Sequence, residues 1–244
     1  MKVAVVTPYY KEAPDILRQC HESVGAQTHE CTHIMLADGY PNPEVDDWPV
    51  EHFIFGASHA DNGNTPRMVG ALSAARRDYD AIAFLDADNW YYPNHIETMV
   101  TLHAQTGAAV CSGSVDIYRP DGSLMFKMYE NDGEKHVDTS AMFLTREAYS
   151  TIGIWGFLPK KLAPVSDRIF WQTIVDRGIS RAHEPTVTVA FRTQYKAHYE
   201  AMGEEPPTGS KGNEITDSAI DWWENLSPEE REKWARYFLN TVPE

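Results

Sequence analysis

The chain has 244 residues, 42% of them hydrophobic, which is enough for one generous domain with a sizeable core and excludes a disordered chain. Its 21 Lys and Arg stand against 36 Asp and Glu, a formal charge of −15, and no basic cluster runs against that trend, so no nucleic acid is expected as a partner. No segment nears the ~20 apolar residues of a membrane span, and Met1 to Tyr10 lack the long apolar core and cleavage site of an export signal.

Strand and helix patterns alternate through the first half, the pattern of an α/β domain with a mostly parallel sheet. Val3-Ala4-Val5-Val6 reads as a strand buried on both faces. A helix follows from Pro14 and Asp15, with Ile16, Leu17, Cys20 and Val24 at helical spacing and Gly25 near its stop. The run from His33 to Ala37 is a second strand ending at Asp38-Gly39, and Phe53-Ile54-Phe55 a short third. The turn from Asp61 to Pro66 leads into a helix with Met68, Val69, Leu72 and Ala75 on one face. Ala81 to Leu85 reads as a central strand, left through Asp86-Ala87-Asp88-Asn89. Pro93 then opens a helix carrying Ile96, Met99, Val100 and His103, stopped at Gly107.

Beyond Gly107 the pattern changes. Ala108 to Cys111 begins a strand region, and Arg119-Pro120-Asp121-Gly122-Ser123 separates Val115–Tyr118 from Leu124–Phe126 as a hairpin turn. Ser166 suits the N-cap of a helix bearing Ile169, Phe170, Ile174 and Val175, closed by Gly178, and Thr186 to Phe191 returns as a strand. Residues Glu200 to Asn213, rich in Gly and Pro, read as a mobile loop. Ser227-Pro228-Glu229-Glu230 is a capping box opening a last helix, with Trp234 and Phe238 one turn apart. Cys20, Cys31 and Cys111 are scattered and odd in number, which points to a reducing, cytoplasmic setting. Cys20-His21 and Cys31-Thr32-His33 lack the paired spacing of a zinc site.

The sharpest chemical signal is Phe84-Leu85-Asp86-Ala87-Asp88, two carboxylates where an apolar strand runs out. Strand side chains alternate, so the two face one way if extended geometry persists through Ala87. Ligands of open α/β sheets bind beyond the carboxyl ends of the strands. Converging carboxylates repel unless a cation joins them, and a divalent ion completed by phosphate oxygens is the usual solution. A solvated acidic turn is the bland alternative.

Four motifs occur in order: Thr7-Pro8-Tyr9-Tyr10-Lys11-Glu12, Ala37-Asp38-Gly39, Asn64-Thr65-Pro66-Arg67 and Leu85-Asp86-Ala87-Asp88-Asn89. Together they resemble the family 2 glycosyltransferases of the GT-A fold, with their Pro-x-Tyr-Asn-x-Glu-type opening, Asp-Asp-Gly-Ser, Gly/Ala-Arg-Asn helix and metal motif. The resemblance covers about the first 100 residues closely and His136 to Gly178 more loosely. Lys11, Ala37 and Tyr40 depart from the pattern, so the nucleotide base stays open.

The resemblance implies an α/β, GT-A-type Rossmann-like sheet, mostly parallel and flanked by helices, with a smaller antiparallel acceptor-side region and C-terminal helices. It divides the chain into a nucleotide-sugar-binding half (1–107), an acceptor-binding and catalytic half of the same domain (108–199), and a flexible loop with a helical appendage (200–244). It implies transfer of a sugar from a nucleotide-diphosphate donor, a UDP-sugar by preference or a GDP-sugar, to a hydroxyl acceptor that the motifs do not identify. Pro8, Tyr10, Glu12, Asp38, Arg67 and Asp86 would serve the donor, with Glu12 and Asp38 accepting hydrogen bonds and Arg67 answering a carboxylate or a phosphate. Asp88 would hold Mn2+ or Mg2+ as a Lewis acid for the departing diphosphate. His198 is a second candidate ligand, favouring manganese, or an exposed histidine without a role. Asp167 is the candidate general base of an inverting displacement, although the helix dipole weakens a base there, and Asp138 is the reserve. Trp90, Trp155 and Trp171 stack on sugar or pack the core, residues 200–213 are a candidate lid, and a homo-oligomer stays open.

The rivals are a haloacid-dehalogenase-type phosphohydrolase, which expects its Asp-x-Asp at the first strand, a sugar nucleotidyltransferase, which expects a Gly-rich loop there, and a non-catalytic nucleotide- or carbohydrate-binding module.

Overall fold

Apolar runs make the inner strands. The computed structural model, which describes residues 1–129 and 132–235, opens with β1 (Val3–Tyr9), buried throughout. There follow α1 (Pro14–Gly25), β2 (Cys31–Ala37), β3 (Glu51–Ile54), α2 (Asn64–Arg76), β4 (Ala81–Phe84), β5 (Trp90–Tyr91) and α3 (His95–Thr106). The second half holds β6 (Val110–Tyr118), β7 (Leu124–Tyr129), β8 (Met142–Thr145), α4 (Gly153–Phe157), α5 (Ser166–Asp176), β9 (Arg181–Arg192), α6 (Lys196–Ala201), α7 (Glu214–Glu224) and α8 (Pro228–Ala235).

A single sheet runs in the order β3-β2-β1-β4-β8-β6-β9-β5, with β7 paired to β6. The strands β3, β2, β1 and β4 are mutually parallel. Past β4 the sheet turns mixed: β8 is antiparallel to β4 and β6, β9 is parallel to β6, and β6–β7 is the expected hairpin. This is the α/β GT-A architecture, with its smaller antiparallel part on the far side.

Several elements outrun their sequence signals for identifiable reasons. β1 continues through Pro8 although proline breaks a ladder. Val6 O accepts from Leu85 N and Tyr9 O from Asp38 N, so the missing N–H of Pro8 points to the β4 side, where β4 has already ended opposite Val6. β6 is one strand through Gly113 and not two segments. β9 begins at Arg181 and passes Pro185 in a register shift, where Glu184 pairs with Gly113 and Val187 with Ser114. Ser166 does not cap α5: a 3-10 stretch, Lys160–Val165, leads straight in, Val165 is the cap position and Ser166 is helical and buried. Likewise Pro93 precedes Asn94, the cap residue of α3.

Trp155 and Trp171 are 1% exposed, and Trp155 stacks on Phe170 at 4.3 Å, so both belong to the core and not to a sugar platform. Trp90 is half-buried between Tyr118 and the Arg192 guanidinium. The segment from Glu200 to Asn213, read as a loop, is tied by Arg119 to Glu204 and by Lys211 N to Gln194 O. The capping box forms, Ser227 N donating to Glu230 Oε2 at 2.9 Å. Trp234 packs against the core, whereas Phe238 lies outside the described residues. Among the described residues no helix is long and apolar enough to cross a membrane.

Candidate active site

Because β1, β2 and β4 are parallel, the residues that follow them share one edge of the sheet: Tyr10, Asp38, and Asp86 to Asp88. A cleft of about 630 Å³ opens there. Pro8, Tyr10, Glu12, Asp38, Arg67, Asp86, Asp88, Asp138, Asp167 and His198 all line it. Residues far apart in sequence are thus brought to one place.

Asp38 is 4% exposed and held from both sides. Its Oδ1 meets His59 Nδ1 at 2.7 Å, and Ser58 Oγ donates to Oδ2 at 2.9 Å, while the His59 backbone N–H donates to both oxygens. Burial pushes the carboxyl up, but these hydrogen bonds outweigh it and hold it below the usual range. Gly39 is needed beside it: at φ +82° it packs so closely that a Cβ would stand 2.4 Å from Ser58 N. Arg67, 4% exposed, donates from Nη2 to Asp86 Oδ1 at 2.6 Å and from Nη1 to Asn64 Oδ1 at 3.0 Å, over the Trp155 ring. The carboxylate that Arg67 answers is thus that of Asp86.

Asp86 and Asp88 leave β4 together, their turn fixed from below. Ser140 Oγ accepts from Asp86 N and from Asn89 Nδ2, and Asn89 Oδ1 accepts from Arg192 N. Gln194 Nε2 donates to Asp88 Oδ2 at 3.0 Å, and Arg192 Nε donates to the Asp88 carbonyl. Burial, then the charges of Asp86 and Glu12, push the Asp88 carboxyl up to about 7. Among the described residues no three His, Cys, Asp or Glu side chains form a ready metal site. Asp88 fits a divalent ion only as one ligand among oxygens supplied by a bound molecule. His198 lies in the same cleft, but its Nδ1 is 2.6 Å from Thr193 Oγ1 and its ring packs among Phe126, Phe191 and Tyr195, so an ion would have to meet Nε2.

The same cleft holds the two candidate bases. Asp138 Oδ1 caps a 3-10 turn by accepting from Ser140 N at 2.8 Å, and burial, Asp86 and Asp167 push its carboxyl up to about 8. Asp167, in the first turn of α5, accepts from Arg168 N at Oδ1 and turns Oδ2 toward His136 Nε2, 3.9 Å away. Sequence reasoning missed Ser58 and His59 on Asp38, Gln194 on Asp88, and His136 and Lys211 on the wall. None carries a local signal: each reaches its partner only through the fold.

The sequence model described as glycosyl transferase family 2 matches residues 4–172. The succinoglycan biosynthesis protein ExoW of Rhizobium meliloti (strain 1021) is 32% identical over 107 residues, 39% of this chain and 32% of that protein. The match thus spans about a third of that relative's length. TarS 1–349 of S. aureus in complex with UDP superposes with a TM-score of 0.62 at 11% identity, over 97% of this chain and 79% of that one. The same protein in complex with UDP-GlcNAc gives 0.58 at 10% identity with the same coverage. At such identity the likeness is one of fold.

Proposed function

The chain belongs to glycosyl transferase family 2, and on that premise we propose that it transfers a sugar from a nucleotide-diphosphate donor to a hydroxyl acceptor, with inversion at C1. The carrying observation is the placement of Asp88 and Asp167 on one cleft at the carboxyl edge of the sheet. The UDP and UDP-GlcNAc bound to TarS favour a UDP-sugar as donor. The carboxyl edge of β1 and β2, with Pro8, Tyr10, Glu12 and Asp38, then receives the nucleoside. Asp38 is already engaged by Ser58 and His59, so it orders the 58–63 loop against that pocket as well as facing the ligand.

Asp88 is the ligand proposed for a divalent ion, Mn2+ or Mg2+, with diphosphate oxygens and His198 Nε2 as further donors. Such an ion supplies Lewis-acid stabilisation of the negative charge that builds on the departing diphosphate. Gln194 and Arg192 hold Asp88 in place for it, and Arg67 keeps Asp86 from adding its full charge to the floor. Asp167 takes the acceptor proton, since the Asp138 carboxyl, pushed up to about 8 by burial, Asp86 and Asp167, keeps its own proton at neutral pH.

Melting curves with UDP, GDP, dTDP and CMP, each with and without manganese, test the reading. Ligand that binds the folded state at 100 times its Kd stabilises by about 2.7 kcal/mol. UDP should raise the Tm markedly more with manganese than without. No shift with any diphosphate under either condition would sink the donor assignment.

A further inference from the structure

His136 stands on the loop that leads into the 3-10 turn Thr139–Ala141 and lines the same cleft as Asp88. Nothing in the donor chemistry uses it. Its Nε2 lies 3.9 Å from Asp167 Oδ2, inside the range of an ion pair but too long for a hydrogen bond. The loop is not loose there: Asp132 Oδ1 accepts from the backbone N–H groups of Glu134, Lys135 and His136, and Glu134 is held through its carbonyl by Trp171 Nε1 at 3.1 Å and through its carboxylate by Arg181. Trp171 sits on α5, the helix that carries Asp167, so the 3.9 Å gap is set by two elements packed on each other.

A gap of this width suits one oxygen atom. Ordinary hydrogen bonds of about 2.8 Å from a shared oxygen to each of two atoms 3.9 Å apart leave an angle of roughly a right angle at that oxygen, which a hydroxyl accommodates. The state of the ring agrees. His136 Nδ1 is buried with no hydrogen-bond partner among the described residues. An orphaned buried N–H is rarer than an under-satisfied acceptor, which places the proton on Nε2, toward the cleft.

We propose that His136 Nε2 and Asp167 Oδ2 form a two-point seat for the attacking oxygen of the acceptor, the imidazole N–H holding one lone pair and the carboxylate receiving the proton. This rests on Asp167 as the base of the transfer. As the acceptor oxygen forms its bond to sugar C1, its O–H bond breaks and the proton passes to Asp167 Oδ2. The bond from C1 to the diphosphate oxygen breaks at the same time, and its electron pair leaves with the diphosphate. His136 keeps its proton throughout, so it acts on position and not on acid–base balance. In the absence of an acceptor, water takes the seat, and slow donor hydrolysis reads the same geometry.

Crystals of the full chain with UDP and manganese should show an oxygen, water or acceptor, within about 3.2 Å of both atoms. His136→Leu should lower kcat for hydrolysis across a panel of UDP-glucose, UDP-galactose, UDP-GlcNAc and UDP-glucuronate by about 10- to 100-fold with the donor KM unchanged. His136→Gln, which restores an N–H at that reach, should recover most of it. Direct contact of His136 with Asp167 and no shared oxygen, or hydrolysis in His136→Leu as fast as in the unaltered protein, would overturn the seat. If the unaltered protein hydrolyses none of the four, the density between the two atoms alone decides the seat, and the donor assignment stands or falls separately on the melting curves with UDP and manganese.

Discussion

Arg67 and Asp86 form the best-buried ion pair lining the cleft, Nη2 to Oδ1 at 2.6 Å, with the arginine 4% and the aspartate 33% exposed. The guanidinium also covers the Trp155 ring at 4.9 Å, so it links the cleft floor to the core beneath. Breaking such a pair from one side leaves a charge without compensation, here beside Asp88 and Glu12. Arg67→Ala should therefore cost about 2–4 kcal/mol of folding stability, the lower end reflecting the partial exposure of Asp86. Urea unfolding checks it. Arg67→Lys should recover less than half, since a single ammonium cannot reach Asn64 and Asp86 in the same fork.

Asp138 makes stability depend on pH in an unusual direction. Its carboxyl, pushed up to about 8, binds its proton more tightly folded than unfolded. Below the unfolded value near 4 both states are protonated and its contribution is fully favourable; as pH rises through about 8 that contribution is lost. Asp138→Asn removes the titration yet keeps an oxygen for Ser140 N–H. In metal-free buffer the variant should match the unaltered protein at pH 4.5 and melt higher at pH 9, by roughly 2–4 °C for each kcal/mol of the contribution lost. Equal melting points at pH 9 would mean that Asp138 ionises as an ordinary carboxylate.

How far the sequence could be read is shown by these same residues. Asp86 and Asp88 announce themselves because a buried apolar strand ends on them, and Asp38 because β2 does the same; the parallel start of the sheet then follows from the alternation of elements. What stays hidden is the second half of each interaction. His59 reaches Asp38 across 21 residues and Gln194 reaches Asp88 across 106, distances at which no spacing rule operates. Ser166 misleads for a related reason: it looks like a cap, but the preceding 3-10 stretch already delivers the chain in helical form. One sheet runs through residues 1–107 and 108–199, β8 carrying pairing directly from β4 to β6.

Two substitutions separate the leaving-group side from the acceptor side of the proposed transfer. Asp88→Ala should keep the fold, since Asn89 and Ser140 hold the turn without it, while donor hydrolysis and manganese-enhanced UDP binding both fall by about 100-fold or more. Asp167→Asn should leave UDP binding intact and slow transfer by about 100- to 10,000-fold. Calorimetric titration of UDP with manganese beside turnover distinguishes the two. Full turnover in Asp88→Ala would remove the metal assignment, and full turnover in Asp167→Asn would move the base to Asp138.

Gly70 lies in the interior of α2, where replacing glycine by alanine ordinarily stabilises a helix by about 1 kcal/mol. Here the opposite is expected. A Cβ at Gly70 would stand 2.7 Å from both Leu36 Cδ1 and Val6 Cγ1, the side chains of two neighbouring strands that are wholly buried. Leu36 can turn only at the expense of its neighbours, and Val6 is β-branched and stiff at χ1, so α2 must lift from the sheet. Overpacking of this kind costs about 1–3 kcal/mol, which exceeds the gain in propensity. Because Arg67 stands one turn earlier on the same helix, the displacement should also loosen its contact with Asp86. Gly70→Ala should thus lower the urea midpoint and weaken UDP binding together, whereas Ser73→Ala on the same helix should leave both unchanged.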